Sequence, residues 1–375
     1  MTTLLVLTVL VLVAIAIWQL TKIFELSQLR VDASKSEIAN DSDNRANGYL
    51  LFLFLIFIYG ITIFSFAKYT KVLLPEAASA HGGEYDTLMW ISFAVIFFVQ
   101  TITQALLHYF GYKYRGEKGK KALFYADNDR LEFIWTIIPV IVLAGLIISG
   151  LYYWTEIMDV NEEDDPLIVE LYAQQFNWTA RYGGQDNVLG DASVRLIDIN
   201  RANVLGLDES DPNATDDIIV KELYLPVGRK VNFYMRSQDV LHSAYMPHFR
   251  AQMNCVPGMI TQFSFTPTIT TEEMRLNPDV VDKVKRTNQL RAKWAAEGRP
   301  NSDPWEFDYV LLCNKICGKS HYNMQMKIVV VTEDEYNDWM AEQKTFTETL
   351  LAANGGEEKA PLENMETAEV VAINE

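Results

Sequence analysis

The stretch Cys313-Asn314-Lys315-Ile316-Cys317-Gly318-Lys319-Ser320-His321-Tyr322-Asn323-Met324 lies between two β-rich runs, Phe307 to Cys313 and Met326 to Val331. Its spacing, Cys-x3-Cys-x3-His-x2-Met, puts two thiols, an imidazole and a thioether within twelve residues. Thiolate and thioether are soft ligands, and with imidazole they suit copper better than magnesium or calcium. Zinc is the nearest competitor, but it rarely takes Met. A loop between two strands offers such ligands a rigid scaffold. Taken singly, each residue has a plainer reading. Met324 could be core filler, His321 a surface histidine, and Cys313 with Cys317 a disulfide if the compartment is oxidising. Four coincidences at this spacing are less economical than one metal site.

Outward from this loop, the chain from Pro166 is built of short β-rich runs. Leu167 to Ala173, Glu222 to Leu225, Lys230 to Met235 and Gln262 to Thr266 join the two runs above as predicted strands. Turn-forming pieces such as Gly183-Gly184, Pro226-Val227-Gly228 and Val256-Pro257-Gly258 separate them. Many short strands with Gly and Pro turns predict a β-sandwich or barrel over residues 166–340. Two inserts interrupt it. Residues 186–219 are polar and acidic and read as a loop. Residues 277–298 read as a helix, capped by Asn277, with Pro278 in the first turn and Gly298 at the end. Thr332 and Glu335 form a capping box for a last short helix ending near Met340. Residues 341–375 are Glu-rich, with few large apolar side chains, and read as a disordered tail.

Before this domain, four runs lack any charged residue: Thr3 to Thr21, Tyr49 to Ala67, Leu88 to Phe110 and Phe133 to Trp154. Each is close to the roughly 20 apolar residues that cross a bilayer as a helix. Four buried helices of a soluble protein would normally keep a polar face. The reading is therefore an N-terminal extension with two transmembrane helices (1–87) and a transmembrane helical hairpin (88–155). Basic residues in short loops set the orientation. Lys113, Arg115, Lys118, Lys120, Lys121 and Arg130 mark one inner loop; Lys22, Arg30, Lys35 and Arg45 mark another. The loop between the second and third runs holds only Lys68 and Lys71 and belongs outside, as do both termini and the large domain. The first run lacks a basic start, and cleaving it as a signal peptide would reverse this arrangement, so it reads as a retained span.

Net charge is -17, while residues 1–150 hold 12 basic and 12 acidic residues. All the excess negative charge thus falls after the last run, which excludes nucleic acid and favours basic partners. Asp159, Glu162, Glu163, Asp164 and Asp165 read as solvated surface charge able to attract a basic donor. The chain has five histidines. His81 and His108 lie in or near the membrane part. His242 and His248, close together in Asp239-Val240-Leu241-His242-Ser243-Ala244-Tyr245-Met246-Pro247-His248, remain as candidates for a second imidazole ligand. No Cys-x-x-Cys-His occurs, so the sequence offers no covalent haem site. Cys255 reads as a small buried residue.

These residues resemble subunit II of the haem–copper cytochrome c oxidases over about residues 88–340. The resemblance rests on the Cys/His/Met loop, on Asp239-Val240-Leu241-His242-Ser243, on Val256-Pro257-Gly258 and on Leu131-Glu132-Phe133-Ile134-Trp135-Thr136-Ile137-Ile138-Pro139, in family order. It implies an all-β cupredoxin-like Greek-key barrel behind the helical anchor. It implies a copper A centre of two copper ions bridged by Cys313 and Cys317, with His242 rather than His248 as the second imidazole, and His321, Met324 and the Lys315 backbone carbonyl as further ligands. It implies an electron-accepting subunit that takes electrons from a c-type cytochrome, in a supercomplex with it, and passes them to haem in a partner subunit I, where oxygen is reduced and protons are moved. Other membrane subunits would be neighbours. The membrane would be a bacterial inner membrane with the copper domain on the periplasmic face. Glu132 would help protons reach subunit I.

Three departures from the family pattern qualify this. Lys315 stands where the family usually has a magnesium-binding Glu, and Asn254 where it usually has Asp, which puts the magnesium site in doubt. Gln175-Phe176-Asn177-Trp178 resembles the family's Gln-Trp-x-Trp, whose first Trp receives electrons; here Phe176 holds that place and Trp178 is kept. Residues 1–87 are additional. A nitric oxide reductase with a copper A subunit, and a membrane-anchored copper chaperone, are the competing readings. Four spans and the Leu131–Pro139 motif disfavour the chaperone.

Overall fold

The computed structural model describes residues 2–28, 40–121, 123–158, 165–300, 303–353 and 355. Arg30, Lys35, Asp159, Glu162, Glu163, Asp164 and the tail from residue 356 lie outside the described residues. Two compact units form, Met1–Ile63 with Phe98–Asn128, and Phe64–Phe97 with Asp129–Glu375.

The four apolar runs are helices: α1 (Thr2–Gln28), α2 (Asp41–Leu73), α3 (Gly82–Lys113) and α4 (Asp129–Met158). All four are long and apolar enough to cross a membrane. Large apolar side chains such as Phe57, Phe98, Phe133 and Ile148 point outward, as a lipid or protein environment requires. In the first unit, α2 and α3 pair closely. Gly48 lets the Tyr112 ring lie against α2, Tyr59 Oη donates to Thr101 Oγ1 at 3.2 Å, and Lys118 N–H donates to Asp41 Oδ1 at 2.8 Å.

Among the described residues of the second unit, ten strands form two five-stranded sheets. They are β1 (Leu167–Gln174), β2 (Asn177–Tyr182), β3 (Ile218–Val220), β4 (Leu223–Pro226), β5 (Val231–Ser237), β6 (His242–Met246), β7 (Ala251–Cys255), β8 (Thr261–Phe265), β9 (Tyr309–Cys313) and β10 (Gln325–Val331). The sheet orders are β3-β2-β1-β5-β8 and β4-β10-β9-β6-β7. β1 runs parallel to β5 and β4 parallel to β10, while the other pairs are antiparallel. Alternation decides which side faces in: Tyr309, Leu311 and Cys313 of β9 are buried, as are Met326, Ile328 and Val330 of β10. With Val169, Leu171 and Phe233 of the first sheet they make one core. This is the cupredoxin-like β fold expected. β2, β3, β6 and β7 were not among the predicted strands, because each is short or carries polar residues that hide the alternation.

The helical additions follow their caps. α5 (Thr271–Arg275) starts at a capping box of Thr270 and Glu273 that the sequence reading passed over. α6 (Pro278–Ala296) has Asn277 accepting from Asp279 N–H, as expected. α7 (Glu333–Glu342) has the Thr332/Glu335 box. The insert 186–219, expected as a plain loop, instead builds short 3-10 turns capped by Ser193, Asp198 and Asp211. Its Leu205, Leu207 and Ala214 bury against Tyr172 and against Phe346 of α8 (Phe346–Ala353). Ordered structure therefore continues past residue 341, where the tail was expected to begin. Phe346 supplies the reason: one large apolar side chain finds a pocket on the insert.

Residues 74–81, between α2 and α3, run along the domain. Ala78 N–H donates to His248 O at 2.7 Å and Thr268 N–H to Ala78 O at 2.9 Å. Arg250 donates to both carboxylate oxygens of Asp86 on α3 and to the carbonyls of Pro75 and Pro247, each at 2.7 Å. The α2–α3 link thus lies on the domain's side of the spans, the side to which its sparse basic charge assigns it.

Candidate metal centre

β9 delivers Cys313 at its end, and the loop beyond it is tied back twice. Cys313 N–H donates to Met324 O at 3.0 Å, and Asn314 N–H donates to Ser243 O on β6 at 2.9 Å. The second tie brings His242, the first residue of β6, beside the loop.

The side chains then converge. Cys313 Sγ lies 3.7 Å from His242 Nδ1, 3.3 Å from Lys315 O and 3.8 Å from Cys317 Sγ. Cys317 Sγ lies 3.6 Å from His321 Nδ1 and 3.8 Å from Met324 Sδ. A disulfide holds its sulfurs about 2.05 Å apart, so Cys313 and Cys317 are free thiols. His242, Cys313, Cys317 and Met324 are buried, and His321 is half-buried. Among the described residues, His242, Cys313 and Cys317 form the one group of metal-ligating side chains close enough to share an ion. Metal bonds of about 2.3 Å to sulfur and about 2.0 Å to nitrogen bridge gaps of this size. The donor set, two thiols, two imidazoles and a thioether, is soft and fits copper.

Surrounding groups hold the ligands in place. Asp239 Oδ1 lies 2.9 Å from His242 Nε2, which turns Nδ1 toward the sulfur, the outer partner a metal-bound histidine requires. Burial disfavours ionised Asp239, but hydrogen bonds from His242 and from the Gln175 and Val240 N–H groups outweigh it and hold the carboxyl below its usual range. Burial, with the Cys313 sulfur beside it, pushes the Cys317 thiol up to about 11. Metal-free Cys317 therefore keeps its proton near neutral pH, and a bound cation would release it.

Phe176 lies directly on the loop. Gln175 Nε2 donates to Cys317 O. At Gly318, whose φ is +137°, a Cβ would sit 3.0 Å from Phe176 Cζ, so glycine is what lets the ring approach. Trp178 is only 1% exposed, with its ring centroid 6.2 Å from that of His242. It is a core aromatic behind the centre, out of a docked partner's reach. His248 is not part of the site: its Nδ1 bonds to Glu76 O at 3.0 Å, and its ring packs on Phe307 and Tyr309. The Lys315 side chain and Asn254 are exposed. Glu132 sits in the first turn of α4, away from the domain. Cys255 is buried opposite His242 in the β6–β7 register, where burial pushes its thiol up to about 12. Asp239 carries no ligand pattern of its own in the sequence; its place three residues before His242 is the available signal.

Comparison with known proteins identifies the family. The profile described as cytochrome C oxidase subunit II, transmembrane domain, matches residues 67–151, and that of the periplasmic domain matches residues 167–272. The Cys313–Met324 loop lies beyond the second match, after the insert that carries α5 and α6. The alternative cytochrome c oxidase subunit 2 of Bradyrhizobium diazoefficiens is 31% identical over 266 residues, covering 70% of this chain and 82% of that protein. The probable cytochrome c oxidase subunit 2 of Rickettsia bellii is 24% identical over 275 residues, covering 73% and 81%. A crystal structure of the periplasmic domain of subunit II of cytochrome oxidase of Bradyrhizobium japonicum overlaps 47% of this chain and 91% of that one, at 17% identity and a TM-score of 0.26. At that score the overlap adds nothing to the sequence matches.

Proposed function

Because the chain belongs to the cytochrome c oxidase subunit II family, we propose that it receives electrons from a c-type cytochrome at a dinuclear copper A centre and passes them to haem in subunit I of a terminal oxidase. The observation that carries this reading is the convergence of Cys313, Cys317, His242, His321 and Met324, with both sulfurs unpaired. Two copper ions held there would supply one-electron redox chemistry.

The residues of this chain do the rest. Cys313 and Cys317 would share the charge between two metals, and the Lys315 carbonyl, His242, His321 and Met324 would close the ligand set. A closed set leaves no position for substrate. Asp239 orients His242. The buried surroundings exclude water and keep reorganisation small. Ile316 and Tyr322, 87% and 88% exposed, flank the loop and offer an apolar contact for a protein partner. Phe176, partly exposed and lying on Gly318, touches the ligand loop, and we assign it the place where electrons arrive; Trp178 acts behind it as packing for His242. Glu132 is assigned to proton uptake at the inner end of α4. Lys315 and Asn254 lack the carboxylates of a magnesium site, and the Lys315 ammonium takes over part of that cation's charge. The outer face of an energy-transducing membrane, the bacterial inner membrane, suits the domain.

The test is the metal content and spectrum of the assembled complex purified from manganese-grown cells. Two coppers per chain with a delocalised mixed-valence EPR signal, no stoichiometric manganese, and loss of the signal in Cys317→Ser are expected. A single copper, or a Cys313–Cys317 disulfide, would refute the dinuclear site. In the assembled oxidase, Phe176→Ala should slow donor oxidation without altering the copper spectrum, and Glu132→Ala should slow oxygen reduction; unchanged rates would remove those assignments.

A further inference from the structure

Gln175 sits at the tip of the β1–β2 turn, just beyond Gln174, whose partner across the turn is Asn177. That turn belongs to the first sheet, while the ligand loop joins β9 and β10 of the second. The loop is fastened to its own sheet near its ends: Cys313 N–H donates to Met324 O, and Asn314 N–H to Ser243 O. Cys317, in the middle, is reached from the other sheet, because Gln175 Nε2 donates to its carbonyl. Gly318 leaves room for this approach. A Cβ there would lie 2.9 Å from Gln175 Nε2 and 3.0 Å from Phe176 Cζ. The Gln175 N–H meanwhile donates to Asp239 Oδ2 at 2.8 Å, and the other Asp239 oxygen lies 2.9 Å from His242 Nε2. One residue thus bonds to the peptide that carries Cys317 and to the carboxylate that aims His242.

The side-chain amide is not needed to hold the fold. Gln175 is exposed, so water can serve its amide in the unfolded chain and in a variant, and the net worth of such a bond is small. The backbone bond to Asp239 survives any change of side chain. What the amide alone supplies is a local hold on the Cys317 peptide. Its N–H also brings the positive end of a dipole to the carbonyl beside the Cys317 sulfur, which favours the more negative, reduced state of a metal held there. We propose that Gln175 is a positioning residue of the metal centre: its amide pins the middle of the ligand loop from the opposite sheet and raises the reduction potential of the bound copper. The pinning stands on the hydrogen bonds above; the effect on potential rests on the copper A reading.

Hydrogen exchange in the metal-free full chain tests the pinning. Gln175→Leu should speed exchange over residues 315–319 about fivefold, the worth of one neutral hydrogen bond, with the thermal midpoint unchanged. Unchanged exchange there would overturn the proposal, as would faster exchange throughout the domain with a lowered midpoint, which marks a general structural role. In the copper-loaded full chain, Gln175→Leu should release copper to a chelator about fivefold faster and show a lower reduction potential. Gln175→Glu, of equal size but with a carboxylate in place of the amide, should lower the potential further. Potentials equal to wild type in both variants would overturn the tuning role. If the wild-type chain itself lacks the two-copper EPR signal, the copper A reading falls and takes the tuning role with it, while the exchange measurement still decides the pinning.

Discussion

Asp239 shows how much of the metal centre depends on a residue that is not a ligand. Its carboxylate takes one contact from His242 and N–H groups from Gln175 and Val240. It therefore fixes both the ring that faces Cys313 and the aromatic segment that covers Cys317. Asp239→Asn keeps the size but weakens the hold on Nε2. Copper affinity should fall about 10- to 100-fold, the usual cost of losing such a partner, as read by competition with a chelator. Unchanged affinity would mean that the strand alone positions His242. Phe176 makes the complementary point. Its side chain is harder to oxidise than Trp, yet its place on Gly318 depends only on shape and on the absent Cβ, which phenylalanine satisfies as well as tryptophan does.

Among the elements, the insert 186–219 and α8 act as a third layer on the outer face of the first sheet. A buried charge network joins them. Arg181 on β2 donates to Glu170 at 2.7 Å and to Asp217 at 2.8 Å, and Arg236 donates to the other Glu170 oxygen. Asp217 also accepts from Gly190 N–H at 3.2 Å. Burial raises the Asp217 carboxyl to about 6, against the pull of Arg181. The sign follows: between about pH 4 and pH 6 the folded domain holds a proton that the unfolded chain has released, so stability falls as pH rises through that window. Relative to Asp217→Asn, the wild-type chain should lose about 2 kcal/mol of stability between pH 4.5 and pH 7.5, measured by denaturant unfolding at the two pH values. A difference that does not move with pH would show that Arg181 keeps Asp217 ionised throughout.

At the scale of the whole molecule, the outer domain is completed by residues that precede two of the spans. Ala78 is fully buried in the domain core, and the Arg250 side chain, 3% exposed, depends on Asp86 of α3. A soluble fragment beginning after α4 lacks both. Asp86→Asn in the full chain leaves a buried guanidinium without its counter-charge, which costs about 3 kcal/mol. The thermal midpoint of the copper domain should drop by several degrees, on the order of 4 °C per kcal/mol or less at this size, with the copper spectrum intact below it. No shift would mean that the carbonyls of Pro75 and Pro247 suffice. The family match begins at residue 67, so α1 and most of α2 lie outside it, while residues 74–81 and Asp86 lie inside.

The Cys/His/Met loop, the four long apolar helices and two helix caps were legible in the sequence because each is a local pattern: fixed spacing, an uncharged run, a Thr-x-x-Glu. The choice of His242 over His248 came from resemblance, and its physical basis is tertiary, since only the tie from Asn314 to Ser243 brings β6 beside the loop while His248 turns away toward Glu76. The role of Asp239, the layer made by 186–219 with Phe346, and the seating of residues 74–81 were not legible. Each depends on partners far apart in the chain, whose side chains meet only after the two sheets have closed, and no spacing in one strand records them. The sequence by itself supplied the thiols, imidazoles and thioether and the spacing of four of them. The tertiary structure decided that they meet, which nitrogen of each histidine faces sulfur, and that the sulfurs stay unpaired.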